Sequence, residues 1–402
     1  MRVHYWLVVP VVTLLGAAVV ELVARWWLRH RTHYYVLPPG LRLRLQPDPE
    51  IFPELERVVR FEVNSDGERG PDVPRPGPGL CRMLVVGGSQ PEGYLLDQET
   101  AWPGALQGIL EAPEHLRRLD AERVHVGNTA RSGVGSEGLD LILERVLPRY
   151  PRLQAIIVLV GASDVLRWLE AGAPPAAPPP VRVEDVFRCY PEMGCGWRPG
   201  ALAIVELLRR LRMRWLRPRE EHPRACRWLG RARAMRANAT EVLPMPDPAP
   251  MLAHFDRHFR RALGRACAQA DRVIVVRQPW FAPPYTPEDE AHMWHGGAGR
   301  SWQEEVRTFY SLEVVARLMA LLDAKAARIA RDMDVEQIDL MPLLDRGLEV
   351  FYDTFHATPA GSRLIAAAVA ATILRQPLQE IAPDTGIPGA VERSAAIREK
   401  VS

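Results

Sequence analysis

The sequence predicts an α/β fold: a three-layer α/β/α sandwich on a five-stranded, mainly parallel sheet. A transmembrane helix precedes it and a helical insertion interrupts it. Three observations carry this prediction. Short apolar runs at Arg82–Val86, Arg123–Val126, Ala155–Val160, Arg272–Val276 and Val335–Ile338 read as buried strands. Helical segments alternate with them, which implies a parallel sheet covered on both faces. An apolar stretch of bilayer length opens the chain.

That stretch, Trp6 to Val23, is broken only by Thr13, Glu21 and Pro10. Tyr5 and Trp6 flank one end; Trp26, Trp27, Tyr34 and Tyr35 flank the other, as aromatic belts do at membrane interfaces. An uncleaved anchor and a cleaved signal peptide both fit the pattern, but Gly16-Ala17-Ala18 is a poor cleavage site. Arg25, Arg29 and Arg31 follow the span and only Arg2 precedes it, so the local charge rule places the rest of the chain in the cytoplasm.

Residues 36–80 come next as a small extended segment ending in a proline-rich linker. In it Arg57–Val63 reads as a strand and Asn64-Ser65-Asp66-Gly67 as a turn. The sandwich is expected over 81–376, with helices at Trp102–Glu111, Ser136–Arg149 and Ser362–Leu374. Thr358 is the expected N-cap of the last helix, with Pro359 at its first position. The interval from about 171 to 270 contains no convincing strand and reads as a helical insertion. It holds a proline-rich stretch, an arginine-rich helix at Ala201–Leu216 and a second helix at Met251–Ala270. Residues 377–402 read as a tail.

Composition excludes several classes. With 47% hydrophobic and 25% charged residues, the chain is ordinary globular material rather than a disordered one. Its 51 basic and 49 acidic residues nearly cancel, which argues against nucleic acid as a partner. The five cysteines include no CxxC pair; Cys189 and Cys195 are either a small disulfide loop or two buried thiols. His292 and His295 have the look of a metal pair, but no third ligand is evident, so no metal or cofactor is expected.

Chemistry-bearing residues fall just after the strands. Gly87-Gly88-Ser89 follows the first, Asn128–Gly133 the second, and Gly161-Ala162-Ser163-Asp164 the third. Ligands bind at that end of a parallel sheet. Asp353 precedes His356 by three residues, so its carboxylate can reach the imidazole and fix its tautomer. His356 can then activate Ser89 as a nucleophile. Gly133 and Ser163 are placed to donate to a developing oxyanion. Gly296-Gly297-Ala298-Gly299, between Trp294 and Trp302, reads as a mobile loop suited to cover the cleft.

Singly these segments are turns; together and in this order they resemble the SGNH/GDSL hydrolase family. The resemblance spans roughly Phe61 to Leu374. Ser89 matches the nucleophile block, Gly133 the oxyanion glycine, and Asp353 and His356 the D-x-x-H block. Asn64–Gly70 is similar to an N-S-x-G-x-R-G element common in bacterial membrane-associated members. Two positions depart: the family's Gly-Asp-Ser is Gly87-Gly88-Ser89, and its third-block asparagine is Ser163.

The resemblance implies a flavodoxin-like sheet and a serine esterase acting on an O-acyl ester, such as an O-acetyl group on a carbohydrate. It leaves open an O-acyltransferase to a cell-envelope glycan, with a membrane-bound acyltransferase as partner. The departures at Gly88 and Ser163 leave open a non-catalytic glycan-binding module. It also implies a domain on the periplasmic or extracytoplasmic side, against the local arginines.

Overall fold

β-Branched residues dominate the apolar runs, and their side chains alternate between two faces, so each run feeds two cores at once. A computed structural model describes residues 5–31, 33–74, 77–176, 180–190, 202–216, 219–344 and 347–381. The chain opens with helix α1 (Tyr5–Arg31), then strands β1 (Arg42–Pro47), β2 (Val59–Glu62) and β3 (Leu80–Gly87). Helices α2 (Ser89–Glu92), α3 (Trp102–Leu110) and α4 (Pro113–Arg118) lead to β4 (Arg123–Asn128). Helix α5 (Ser136–Val146) precedes β5 (Leu153–Leu159), and α6 (Ala162–Glu170) and α7 (Val183–Val186) follow. Then come α8 (Ala203–Leu216), β6 (Glu220–Ala225), α9 (Trp228–Ala237), β7 (Glu241–Leu243) and α10 (Ala249–Gln269). The remaining elements are β8 (Ala270–Val276), α11 (Pro287–His292), β9 (Thr308–Tyr310), α12 (Leu312–Asp332), β10 (Glu336–Ile338), α13 (Pro359–Leu374) and α14 (Leu378–Ile381).

The main sheet has the order β10-β8-β5-β3-β4, and every pairing in it is parallel. Counted along the chain, these strands run 2-1-3-4-5, the flavodoxin-like order. Leu84, Val86, Ile156, Val158, Val273 and Val275 face a core shared with α5, α6, α10 and α12. Met83, Val85, Ile157, Leu159, Ile274 and Val276 face the other, shared with α3 and α13. The three-layer prediction therefore holds. Thr358 caps α13 as expected, its hydroxyl accepting the Gly361 N–H at 3.2 Å.

The interval expected to lack strands departs from its prediction. It contains β6, which pairs in parallel with β1, and β7, which pairs in parallel with β9. β1 also pairs antiparallel with β2, so the N-terminal segment and the insertion share a three-stranded sheet. β6 (EEHPRA) escaped detection because it is an exposed edge strand, charged and carrying a proline, with no apolar face to announce it.

α1 contains a span, Val9–Leu28, that is long and apolar enough to cross a membrane. Glu21, one of the breaks in the apolar run, is turned onto α8. Its carboxylate takes the N–H groups of Ala203 and Ile204 at 2.7 and 3.0 Å, capping α8, and pairs with Arg25 at 2.7 Å. In α8, Arg209 is held by Glu206. Cys195, Arg217 and the tail beyond Ile381 lie outside the described residues, so the Cys189–Cys195 question does too.

The turn at Asn64–Gly70 is the anchor of the N-terminal segment. Asn64 Oδ1 accepts the N–H groups of Asp66 and Glu68. The buried Glu68 carboxylate meets His125 Nε2 at 2.7 Å, Tyr150 Oη at 2.7 Å and Arg82 at 2.9 Å. Burial pushes its pKa up, but His125, then Arg82 and Tyr150 outweigh this and hold it at about 2. A depressed carboxylate of this kind adds stability above its unfolded value of about 4.3 and loses it as pH falls through the folded one. Glu68→Ala strands His125 in the interior and leaves Arg82 with Asp66 as its remaining carboxylate partner. It is expected to cost about 3–5 kcal/mol at neutral pH and to flatten the stability profile between about pH 4 and 2. Chemical denaturation of the two proteins across that range checks this; equal midpoints would remove the network from the stability account.

Candidate active site

β3 ends where the chain must leave the sheet sharply. A Cβ on Gly87 would stand 1.9 Å from the Leu159 carbonyl oxygen of β5, so only glycine permits this approach. The turn sets Ser89 at the start of α2, beyond the carboxyl end of β3. From the far end of the chain, the loop before α13 brings His356 over it. His356 Nε2 lies 2.8 Å from Ser89 Oγ, and His356 Nδ1 lies 2.8 Å from Asp353 Oδ2.

Asp353 is fixed from several sides. Its Oδ1 accepts the N–H groups of Phe355 and His356, both at 2.9 Å, and its Oδ2 accepts Trp294 Nε1–H at 3.0 Å. Burial disfavours its charge, but His356, His295 and these donors outweigh burial and hold its pKa well below the carboxylate range. With Asp353 accepting from Nδ1–H, Nε2 is left as acceptor for the Ser89 hydroxyl proton. Burial opposes the imidazolium of His356, yet Asp353 outweighs it and the pKa is raised. Tyr352 stacks on His356 at 5.5 Å and 10°.

The loop after β4 carries Gly133 with φ +78°, a left-handed conformation that favours glycine. Two carboxylates, the buried Glu92 and the half-buried Asp164, pin this loop on either side. Glu92 accepts the Ser132 N–H at 2.8 Å and the Ser132 hydroxyl. Asp164 accepts the Ser136 N–H at 2.9 Å and its hydroxyl at 2.6 Å, at the first turn of α5. Burial raises the pKa of both acids, against the Ser132 and Ser136 hydrogen bonds that lower it.

Ser163 is buried in the first turn of α6. Gly88 lies between it and the Gly133 loop: a Cβ there would be 3.1 Å from the Val134 carbonyl oxygen and 3.7 Å from Ser163 Oγ. The two departures from the family pattern are thus neighbours in space. The structure brings Ser89, His356 and Asp353 into one hydrogen-bonded chain, and sets Gly88 beside both Ser163 and the loop of Gly133.

Other expectations are corrected. Gly297 bridges to Phe309 and Ala298 N–H donates to the Thr308 carbonyl, so the glycine loop is pinned to β9. Trp294 is engaged with Asp353 instead of lining an open cleft. His292 ends α11, whereas His295 is buried beyond it, and burial pushes its pKa down to about 3. The two therefore share no helix face. His295 instead joins Asp353 and His356 in one cluster. Sequence reasoning missed Glu92 altogether, and it named Asp164 and Trp294 near the site without the roles they take here. Asp164 had a signal, an acidic residue in the first turn of the helix behind a buried strand; Trp294, 59 residues from its partner, had none.

No family model matches the chain, and no curated protein matches it. Solved structures do. An acetylxylan esterase from Geobacillus stearothermophilus is 11% identical over 74% of this chain and 95% of its own, with a TM-score of 0.39. A member of the lipolytic G-D-S-L family from Veillonella parvula is 11% identical over 73% and 97%, at 0.38. An alpha/beta hydrolase from the metagenome of Lake Arreo, Spain, is 12% identical over 73% and 96%, at 0.39.

Asp164→Ala removes the acceptor at the start of α5 and is expected to cost about 0.5–2 kcal/mol, as lost helix caps do. Thermal denaturation measures this; an unchanged midpoint would mean that Ser136 finds another acceptor.

Proposed function

We propose that this chain is a serine ester hydrolase of SGNH/GDSL type, held at a membrane by α1 and acting on an O-acyl ester of a carbohydrate. The observation that carries it is the Ser89–His356–Asp353 chain at the carboxyl end of the sheet. Ser89 Oγ attacks the ester carbonyl carbon while His356 Nε2 takes its proton. Asp353 stabilises the imidazolium that forms. The N–H groups of Ser89 and Gly133 and the Ser163 hydroxyl take the oxyanion. The alcohol leaves with the proton from His356, and an acyl-enzyme remains on Ser89. Water, deprotonated by His356, then releases the carboxylic acid. A sugar hydroxyl in place of that water makes the same machinery a transferase. Resemblance to membrane-associated members of the family favours a cell-envelope glycan as substrate, and an extracytoplasmic site for the domain.

Covalent labelling of the full chain by a fluorophosphonate tests the reading, with Ser89→Ala and His356→Ala as controls. Labelling is expected in the native protein and in neither variant. A folded native protein that stays unlabelled would favour a binding module disarmed at Gly88 and Ser163. Release of free acetate from acetylated oligosaccharides then marks a hydrolase, and its transfer to an added sugar a transferase.

The reactive form needs neutral His356, whose pKa is raised by Asp353 against burial. Labelling is therefore expected to fall as pH drops, with its midpoint above the ordinary imidazole value of about 6.5. A midpoint at or below that value would contradict the assigned base. Removing the Ser163 hydroxyl by Ser163→Ala is expected to cost about 10²–10³ in turnover. Unchanged kcat would take Ser163 out of the oxyanion set.

A further inference from the structure

Away from Ser89, α5 and α10 pack side by side over one face of the sheet. α5 presents Glu137 and Asp140, three residues apart, and α10 presents His254 and His258, four apart. Both spacings put their members on one helix face. The two faces meet. His254 Nε2 lies 3.3 Å from Glu137 Oε2, and His258 Nδ1 lies 3.5 Å from Asp140 Oδ2. The imidazole centroids are 4.5 Å apart. One ligand atom from each of Glu137, His254 and His258 lies within 4.8 Å of the others. All four side chains are 10–18% exposed, shielded but reachable by a small ion.

Packing alone does not explain the arrangement. His258 Nδ1 is buried, and its nearest carboxylate oxygen, Asp140 Oδ2, stands at 3.5 Å without the geometry of a good hydrogen bond.

We infer that Glu137, His254 and His258 bind one divalent transition-metal ion, with Zn²⁺ the preferred occupant. For metal–ligand bonds of about 2.0–2.2 Å in tetrahedral geometry, donor atoms stand about 3.4 Å apart. His254 and Glu137 already stand at 3.3 Å. Two imidazole nitrogens and a carboxylate select zinc or a neighbouring first-row ion over magnesium or calcium. Asp140 is a positioning residue. Its Oδ1 is held by Arg265 Nε at 2.7 Å, and its Oδ2 faces His258 Nδ1. A small turn of the ring closes that hydrogen bond and leaves Nε2 for the metal, as ligating histidines commonly arrange. Water fills the fourth position.

The ion would act as a clip. Glu137 begins α5 just past the Gly133 loop, and its Oε1 accepts the Val181 N–H at 3.1 Å. One metal therefore ties the oxyanion loop's helix, the segment behind the proline-rich stretch and α10. The metal site stands whether or not Ser89 is an esterase nucleophile.

The test uses the full chain in detergent, carrying no histidine tag, stripped with a chelator and dialysed against Zn²⁺ alone. One ion per chain and a raised melting temperature are expected. Both are lost in His254→Gln/His258→Gln, while Asp140→Asn weakens binding about 10- to 100-fold. Substoichiometric binding by the folded native chain overturns the site, and so does undiminished binding by the double variant. Should that variant fail to fold, Co²⁺ titration of the native chain decides. Visible d–d bands of a four-coordinate ion that Zn²⁺ displaces support the site, and their absence overturns it.

Discussion

Arg69 is the interaction on which the rest of the site hangs. Its guanidinium is buried and donates to the carbonyls of Glu92, Gly93 and Leu96, at the end of the turn that begins with Ser89. Burial pulls its pKa down to about 10, so it remains charged, and that charge is met by three carbonyl dipoles and the nearby Glu92. A residue of the N-terminal segment thus closes the turn that carries Ser89. Its neighbour Glu68 fastens the same segment to β4 through His125. The turn of Ser89 and the segment ahead of the sandwich are one mechanical unit.

Three acids then divide the work around Ser89. Asp353 is surrounded by donors and kept ionised. Glu92 and Asp164 have fewer donors and are pushed towards the neutral form by burial. Each holds one side of the Gly133 loop through a serine. For the proposed reaction rigidity there matters, because a donor can stabilise an oxyanion only if it is already aimed when charge develops. The shorter Ser163 side chain sits in a site whose other parts are tightly held.

Much of this was legible in the residues. The five sheet strands announced themselves because a strand buried on both faces must be apolar throughout. Ser89, Asp353 and His356 stood out because parallel sheets put their chemistry at strand ends, and Asp353 and His356 are local to each other. β1 went unread although Arg42-Leu43-Arg44-Leu45 alternates cleanly, its burial following that alternation. It is short and lies in a proline-rich stretch. β6 and the Trp294–Asp353 contact had no local signature, since each is set by a partner far along the chain. The Gly296–Gly299 loop was misread because glycine reports freedom of the backbone and not whether neighbours use it.

The β1–β6 pairing has a consequence for how the protein is made. β6 leaves the ribosome roughly 180 residues after β1, on the order of ten seconds or more at ordinary elongation rates. Throughout that time β1 has β2 along one edge and lacks the strand that completes the other. Arg42 and Arg44 flank its apolar residues, and charge on a waiting edge discourages pairing with other chains. Once β6 arrives, Arg44 comes within 4.0 Å of Glu221. The same arginine that guards the nascent strand against aggregation thereby takes its place beside the late partner.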